Sequence, residues 1–231
     1  MGLLGEAAMI GWYGIFPDAA SEHDDWHSHE HMPERLGIPG FLRGRRWVSL
    51  SGSPQYFVMY EVDHFETLTA PPYLERLNNP TPWSKKMMLH FRNMTRSLCR
   101  VKGSFGMGVG QAVVTIRFLP KPGAEEALRE WLTGSVLPTL SPRPGMIGVH
   151  LLESEKQTEP PQTREQVLRG GDMTADWVVV AEGYDPDAVL SIAEEELRAE
   201  VLSEHGVTPG QVTEAYRLGF LLTRRDSDSE T

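Results

Sequence analysis

The sequence predicts an α+β fold made of two successive β-α-β-β-α-β units, and three observations carry that prediction. Displaced by 105 positions, residues 17–40 align on residues 122–145 without a gap: Pro17 meets Pro122, Ala19 meets Ala124, Trp26 meets Trp131, Pro33 meets Pro138, Pro39 meets Pro144 and Gly40 meets Gly145. These identities include a rare Trp and the breakers that set where elements stop, so both copies share the same boundaries. When sixteen residues are taken out of the second half, Tyr56–Glu61 falls on Trp177–Glu182. The order of strand-like and helix-like stretches is then the same in both halves.

In chain order, residues 8–16 read as a strand that Pro17-Asp18 ends, with Asp18 a candidate N-cap for a helix over 19–31. Pro33 cannot donate a backbone hydrogen bond and disfavours helical geometry at Met32, which predicts that this helix ends or kinks just after His31. Strands follow at 41–51 and 55–62, joined by a Gly52-Ser53-Pro54 hairpin, then a helix near 65–78, a turn at 79–82, a short helix over 83–90 and a strand over 94–102. The glycine-rich run Gly103–Gly110 reads as a linker, since no phosphate-binding helix pattern follows it. The second half repeats the order with a strand at 111–119, a helix at 123–137, strands at 146–154 and 176–183, a helix at 186–204 and a strand at 212–223. Between its middle strands lies an added polar stretch, 155–174, which reads as a long surface loop or a lid. The expected organisation is a first unit over 1–105, a second over 106–225 and a disordered tail at 226–231.

With 231 residues, 40% hydrophobic and 23% charged, the chain has the composition of an ordinary globular protein. A formal net charge of −10 argues against nucleic acid and anionic membranes as partners. Cys99 is the only cysteine, so neither a disulfide framework nor a cysteine metal site is expected. The first residues lack a charged n-region and no apolar run is long enough to span a bilayer, so the expectation is a cytoplasmic protein.

Four of the eight histidines fall within 23–31, and His23, His27 and His31 are spaced to form one stripe of a helix. The internal alignment sets them opposite Leu128, Leu132 and Val136, the apolar stripe of the matching helix, so the histidine stripe is expected to face inward. Burying unpaired polar groups costs about 1–3 kcal/mol each. A pocket in the first unit, filled by side chains in the second, is the simplest account.

A β-α-β-β-α-β unit is the ferredoxin-like arrangement, whose helices cover one sheet face and leave the other to be buried. Two such units bury those faces against each other. In this topology the chain resembles the dimeric α+β barrel superfamily in tandem, pseudo-dimeric form. Its first helix, Asp25-Trp26-His27-Ser28-His29-Glu30-His31-Met32-Pro33-Glu34, resembles the aromatic-then-His motif of EthD-like members. The resemblance implies a pocket between the sheet and helices of one unit, where a histidine does acid–base work on an aromatic or polyketide-like substrate without cofactor. It also implies relatives as varied as cyclases, isomerases, cofactor-independent monooxygenases and haem proteins. Trp26 and His31 are the residues it carries over, and the added His23 and His27 depart from the simple motif.

His31 is the expected general acid or base and His27 its support, because an imidazole exchanges protons near neutral pH. Trp26 is expected to contact substrate. Tyr13, in register with Phe118, takes an apolar-type strand position and is a candidate pocket wall, while Tyr73 and Trp83 are candidates to roof the cavity. Arg46 is a candidate anion binder, although three arginines on one strand, Arg43, Arg45 and Arg46, ordinarily make a solvated face. The alternative for the stripe is a metal site of His27, His31 and Glu34, or a haem, for which His90 and His150 are also available as axial ligands. The expected function is a cofactor-independent lyase, isomerase or cyclase acting on a small molecule, in a monomer or homodimer. A metal- or haem-dependent oxidoreductase or monooxygenase and a non-catalytic binding protein are the alternatives.

Overall fold

The computed structural model describes residues 2–155 and 162–227. The first unit runs β1 (Ala7–Ile15), α1 (Ala20–Trp26), a π turn (His27–His31), α2 (Met32–Leu36), β2 (Phe41–Ser49), β3 (Tyr56–Val62), α3 (Pro71–Asn78), α4 (Pro82–Met88) and β4 (Phe91–Gly106). The second runs β5 (Ala112–Phe118), α5 (Glu125–Trp131), a π turn (Leu132–Val136), α6 (Leu137–Leu140), β6 (Met146–Ser154), α7 (Arg164–Leu168), β7 (Trp177–Gly183), α8 (Pro186–Glu194), α9 (Ala199–Glu204), β8 (Val212–Thr223) and the short α10 (Arg224–Ser227).

Each unit is a four-stranded antiparallel sheet, and the two sheets close into one eight-stranded barrel of order β1-β3-β2-β8-β5-β7-β6-β4. They face each other across the interior and meet edge to edge at β2–β8 and β4–β6. Closure leaves no sheet edge open, which removes the usual hazard of unpaired strands. Because side chains alternate along a strand, β1 sends Ala8, Ile10 and Trp12 into the barrel and Met9 and Tyr13 toward the helices. Both faces are buried, so the strand reads as a nearly continuous apolar run.

Of the two outcomes expected at Pro33, an end or a kink, the end is corrected. The chain continues helically to Leu36, because a π turn precedes Pro33 and Met32 N–H donates to His27 O, five residues back. Widening the ladder at this point accommodates a proline that has no N–H to give. The second unit does the same before Pro138, where Leu137 N–H donates to Leu132 O. The repeat therefore extends to a shared irregularity of the helix. Asp18 does not cap α1; it lies in a 3-10 turn, Pro17–Ala19, and Ala19 takes the cap position.

Other boundaries also shift. Pro71 starts α3 anew after a 3-10 turn, Phe65–Leu68, and the long helix expected over 186–204 breaks between α8 and α9. In the expected disordered tail, Asp226 lies in α10 and accepts hydrogen bonds from Thr223; residues 228–231 lie outside the described residues. The added stretch 155–174 contains α7, which packs on α3 and α4 of the first unit; its residues 156–161 lie outside the described residues.

The arginines of β2 do not form a solvated face. Arg43, Arg45 and Arg46 are all buried, because β2 is covered on both sides. Inside the barrel Arg43 forms a two-bond pair with Glu61 (2.7 and 2.8 Å), and Arg45 bridges Glu61 (3.0 Å) and Glu182 (2.8 Å). His150, which aligns with Arg45 in the repeat, sits 3.2 Å from Glu182. These partners hold the Glu182 carboxyl down to about 2 against the opposing effect of burial.

Candidate active site

The histidine stripe faces the outer surface of the first sheet, with His23, His27 and His31 respectively 0%, 2% and 8% exposed. An α-helix drifts a four-residue stripe by about 40° per step. The widened turn takes back part of that drift, and the rings of His27 and His31 lie 5.4 Å apart, as close as those of His23 and His27 at 5.5 Å. Trp26 packs on His31 with ring centroids 4.5 Å apart, and its indole N–H donates to Ser84 Oγ on α4.

The three imidazoles have different surroundings. His23 Nδ1 is 3.2 Å from the half-exposed Asp24 carboxylate and its Nε2 is 3.1 Å from Tyr13 Oη, a carboxylate–imidazole–phenol chain from the surface to the cavity. His27 Nε2 is 3.3 Å from Tyr60 Oη, and its Nδ1 is buried without a partner. His31 Nδ1 is likewise buried and unpartnered, and His31 borders the cavity. Burial lowers the pKa of His27 well below the usual imidazole value, helped by the neighbouring His31 and His23. Burial does the same to His31, helped by the Arg35 and Arg169 guanidiniums. Both rings are therefore neutral at pH 7, in the form that accepts a proton. Burial raises the pKa of Tyr13 and Tyr60, so their hydroxyls stay protonated.

The cavity in front of the stripe measures about 30 Å³, room for a water-sized group. The sheet supplies Tyr13, Tyr60 and Arg96, the helices supply His27, His31, Arg35 and Tyr73, and the insertion of the second unit supplies Glu165 and Arg169. Of the residues expected to contact substrate, Tyr13 and Tyr73 therefore line the cavity, and Trp26, Trp83 and Arg46 do not. Trp26 stands behind His31. Trp83, on α4, is half-buried against the core of the first unit, and its N–H donates to Glu22. Arg46 is held by Asp24 O and Ser28 Oγ at 3.2 Å each. Arg35, Glu165 and Arg169 escaped sequence reasoning because their contacts join residues 130 or more positions apart or lie in a polar run without pattern.

The alternative ligand sets do not assemble. Glu34 turns to Arg35 (3.5 Å) and Arg76 (3.8 Å), and among the described residues no three His, Cys, Asp or Glu side chains gather as a metal site. Neither of the additional haem ligands reaches the cavity: His90 packs on Phe16 outside it, and His150 is committed to Glu182 and Ser104 in the barrel.

Fold and site together define a single-chain, eight-stranded α+β barrel whose histidine cavity lies over the first sheet and takes part of its wall from the second unit. No protein-family model matches the sequence, and no curated protein matches it. Among solved structures the chain is similar to an anthrone oxidase-like protein, at 9% identity over 94% of this chain and 92% of that one, with a TM-score of 0.65. It is also similar to a putative monooxygenase from Fusobacterium nucleatum (10% identity, 96% of each chain, TM-score 0.58) and to a putative chlorite dismutase (13% identity, 97% and 98%, TM-score 0.55). At such identities the likeness establishes the fold. No helix among the described residues is long and apolar enough to cross a membrane.

Proposed function

We propose that the first-unit pocket is an acid–base site where His31 removes a proton from a small aromatic or polyketide-like substrate, and that dioxygen oxidises the resulting anion. The carrying observation is a buried, neutral His31 at the cavity with no protein group on Nδ1 and two guanidiniums nearby. Such a base suits proton removal next to a carbonyl or aryl ring, and the positive surroundings stabilise the anion that forms.

The names of two structural neighbours, an anthrone oxidase-like protein and a putative monooxygenase, favour the oxidative outcome over the lyase, isomerase or cyclase reaction expected from the sequence. For a methylene flanked by two aryl groups, the imidazole takes one proton and the carbanion adds dioxygen to give a hydroperoxide. Loss of water with the second methylene hydrogen leaves a ketone. One oxygen atom enters the product and the other leaves as water, so no external reductant is required. In this reading the family resemblance narrows to EthD-like chemistry at His31, with His27 and Tyr60 supporting the pocket side of the ring stack.

The test is oxygen uptake with anthrone and related phenols by the wild type, His31→Ala and His27→Ala. Turnover should fall about 10²–10⁴-fold in His31→Ala, the range of a lost general base. Unchanged turnover in that variant would remove His31 from the mechanism; product formed without oxygen uptake would return the site to the non-redox reading.

A further inference from the structure

We propose that Tyr13, His23 and Asp24 act as a triad in which the phenol is a second catalytic group of this pocket, taking the second hydrogen from the substrate carbon and returning a proton to the departing oxygen. The inference rests on the oxidative reading above and assigns the step for which that reading names neither base nor acid.

Three phenols border the cavity, Tyr13, Tyr60 and Tyr73. A phenol can take a proton from carbon only where its own hydrogen has an acceptor, and the three differ in this respect. Tyr73 Oη is engaged by Arg96, which donates to it at 2.9 Å. Tyr60 Oη lies 3.3 Å from His27 Nε2, but the other nitrogen of that ring is buried and unpartnered, and burial, the neighbouring imidazoles and two guanidiniums all oppose a positive charge there. Tyr13 Oη lies 3.1 Å from His23 Nε2, and His23 Nδ1 lies 3.2 Å from Asp24 Oδ1. Of the two phenol–imidazole pairs, the one at Tyr13 has a carboxylate behind it.

Asp24 fixes the direction of the chain. Against the opposing effect of burial, the hydrogen bond from His23 and the Arg46 guanidinium 3.6 Å away hold its carboxyl below the usual range, so it is ionised. A carboxylate accepts, which puts the His23 hydrogen on Nδ1, leaves the lone pair on Nε2, and makes Tyr13 the donor to it. Burial keeps both the phenol and the imidazole neutral at rest. The order is that of a serine–histidine–aspartate triad with a phenol in place of the hydroxyl. Here the phenol moves protons and forms no covalent bond.

His31 removes the first hydrogen, the carbanion adds dioxygen, and the His31 imidazolium gives its proton to the peroxide anion. The ring that has just served the oxygen end faces that end, so the remaining C–H calls for a different base. Tyr13 Oη takes that hydrogen as a proton while its own passes to His23 Nε2. The C–H electron pair becomes the second bond of the carbonyl, the O–O bond breaks, and its pair departs with hydroxide. Asp24 stabilises the imidazolium meanwhile. Hydroxide then takes the Tyr13 proton and His23 returns the one it holds, so water leaves and the triad is restored. Carbon is oxidised and the peroxide oxygen reduced, with no further reactant. His23 and Asp24 are positioning residues that act through Tyr13.

Single-turnover reactions of the full chain with anthrone, followed by oxygen uptake, hydroperoxide titration and ketone absorbance, test the assignment. In Tyr13→Phe and in His23→Gln the hydroperoxide present per oxygen consumed should rise about tenfold or more over the wild type, with ketone formation slowed to match. Tyr60→Phe, which breaks the pair without a carboxylate, should show no such rise. A packing role alone would slow uptake and ketone formation together. The wild-type ratio in either Tyr13 or His23 variant that folds, uptake abolished in it, or an equal rise in Tyr60→Phe would overturn the inference. Nitrogen NMR of the resting, histidine-labelled protein needs no substrate: His23 should carry its hydrogen on Nδ1, and a hydrogen on Nε2 would overturn the triad whatever the turnover. Uptake lost in His31→Ala with the wild-type ratio kept in Tyr13→Phe would remove the triad and keep His31 as the base. No uptake by the wild type would remove the oxidative reading and the triad with it.

Discussion

At the scale of single residues, the site depends on keeping imidazoles neutral inside the protein. His23, His27 and His31 all have pKa values lowered by burial, so the unfolded chain binds more protons than the folded one as the pH drops below about 6.5. The sign follows: stability from these groups is fully present above that value and is lost as the pH falls toward their folded pKa values. Each contributes a slope approaching about 1.4 kcal/mol per pH unit once the unfolded imidazole is protonated. Urea melts from pH 7.5 to 5 should show this loss, and His23→Gln should flatten it; a curve level down to pH 5 would contradict neutral burial. The acid limb of kcat/KM should likewise lie below the ordinary imidazole pKa, since His31 keeps its basic form there.

At the scale of the element, the first helix and its copy differ in what they place on the same face. Leu128 and Leu132 are fully buried where His23 and His27 stand in the first unit, and Val136 replaces His31. Replacing His31 with Leu makes the first helix resemble the second and removes a buried ring nitrogen that has no partner. The variant should gain about 1 kcal/mol in stability, with Tm up by roughly 2–4 °C, while activity disappears. A loss of stability would mean that His31 packs against Trp26 better than an aliphatic group does. Periodicity made the inward stripe legible in the sequence, because alignment with an apolar copy settles which face is buried. The π turn was not legible: Pro33 announces an interruption, and whether the ladder breaks or widens depends on the packing on both sides of it. Trp26 was expected to contact substrate from its resemblance to the aromatic-then-His motif, but it packs on His31 and bonds Ser84 without lining the cavity.

At the scale of the whole molecule, two sheets share one interior, and Arg45 ties them together through Glu61 and Glu182. Removing Arg45 leaves Glu182 with only His150 and a backbone N–H, so Arg45→Ala should cost about 3–5 kcal/mol and lower Tm by on the order of 10 °C. The loss should appear in one transition, coincident by circular dichroism and tryptophan fluorescence, because Trp12 and Trp47 are both in that interior. Two separate transitions would mean that the halves fold independently. Topology was legible because the repeat supplies strand order twice. The burial of Arg43, Arg45 and Arg46 was not, since what compensates each charge, Glu61 and Glu182 inside the barrel and Asp24 O and Ser28 on the helix side, comes from other elements of the chain. The ion pair between Arg35 and Glu165 was hidden for the same reason: its members belong to different units.

That crossing of the insertion from one unit to the other has a consequence for descent. In a dimer of two identical chains every substitution is made twice, so a pocket cannot be filled on one side and furnished on the other, nor can an insertion be added over one alone. Joining the two units in a single gene lifts that constraint. Leu132 can stand in one copy opposite His27 in the other while Glu165 is added beside the histidine cavity alone, and selection on binding then acts on a wall supplied by the half without the histidine stripe.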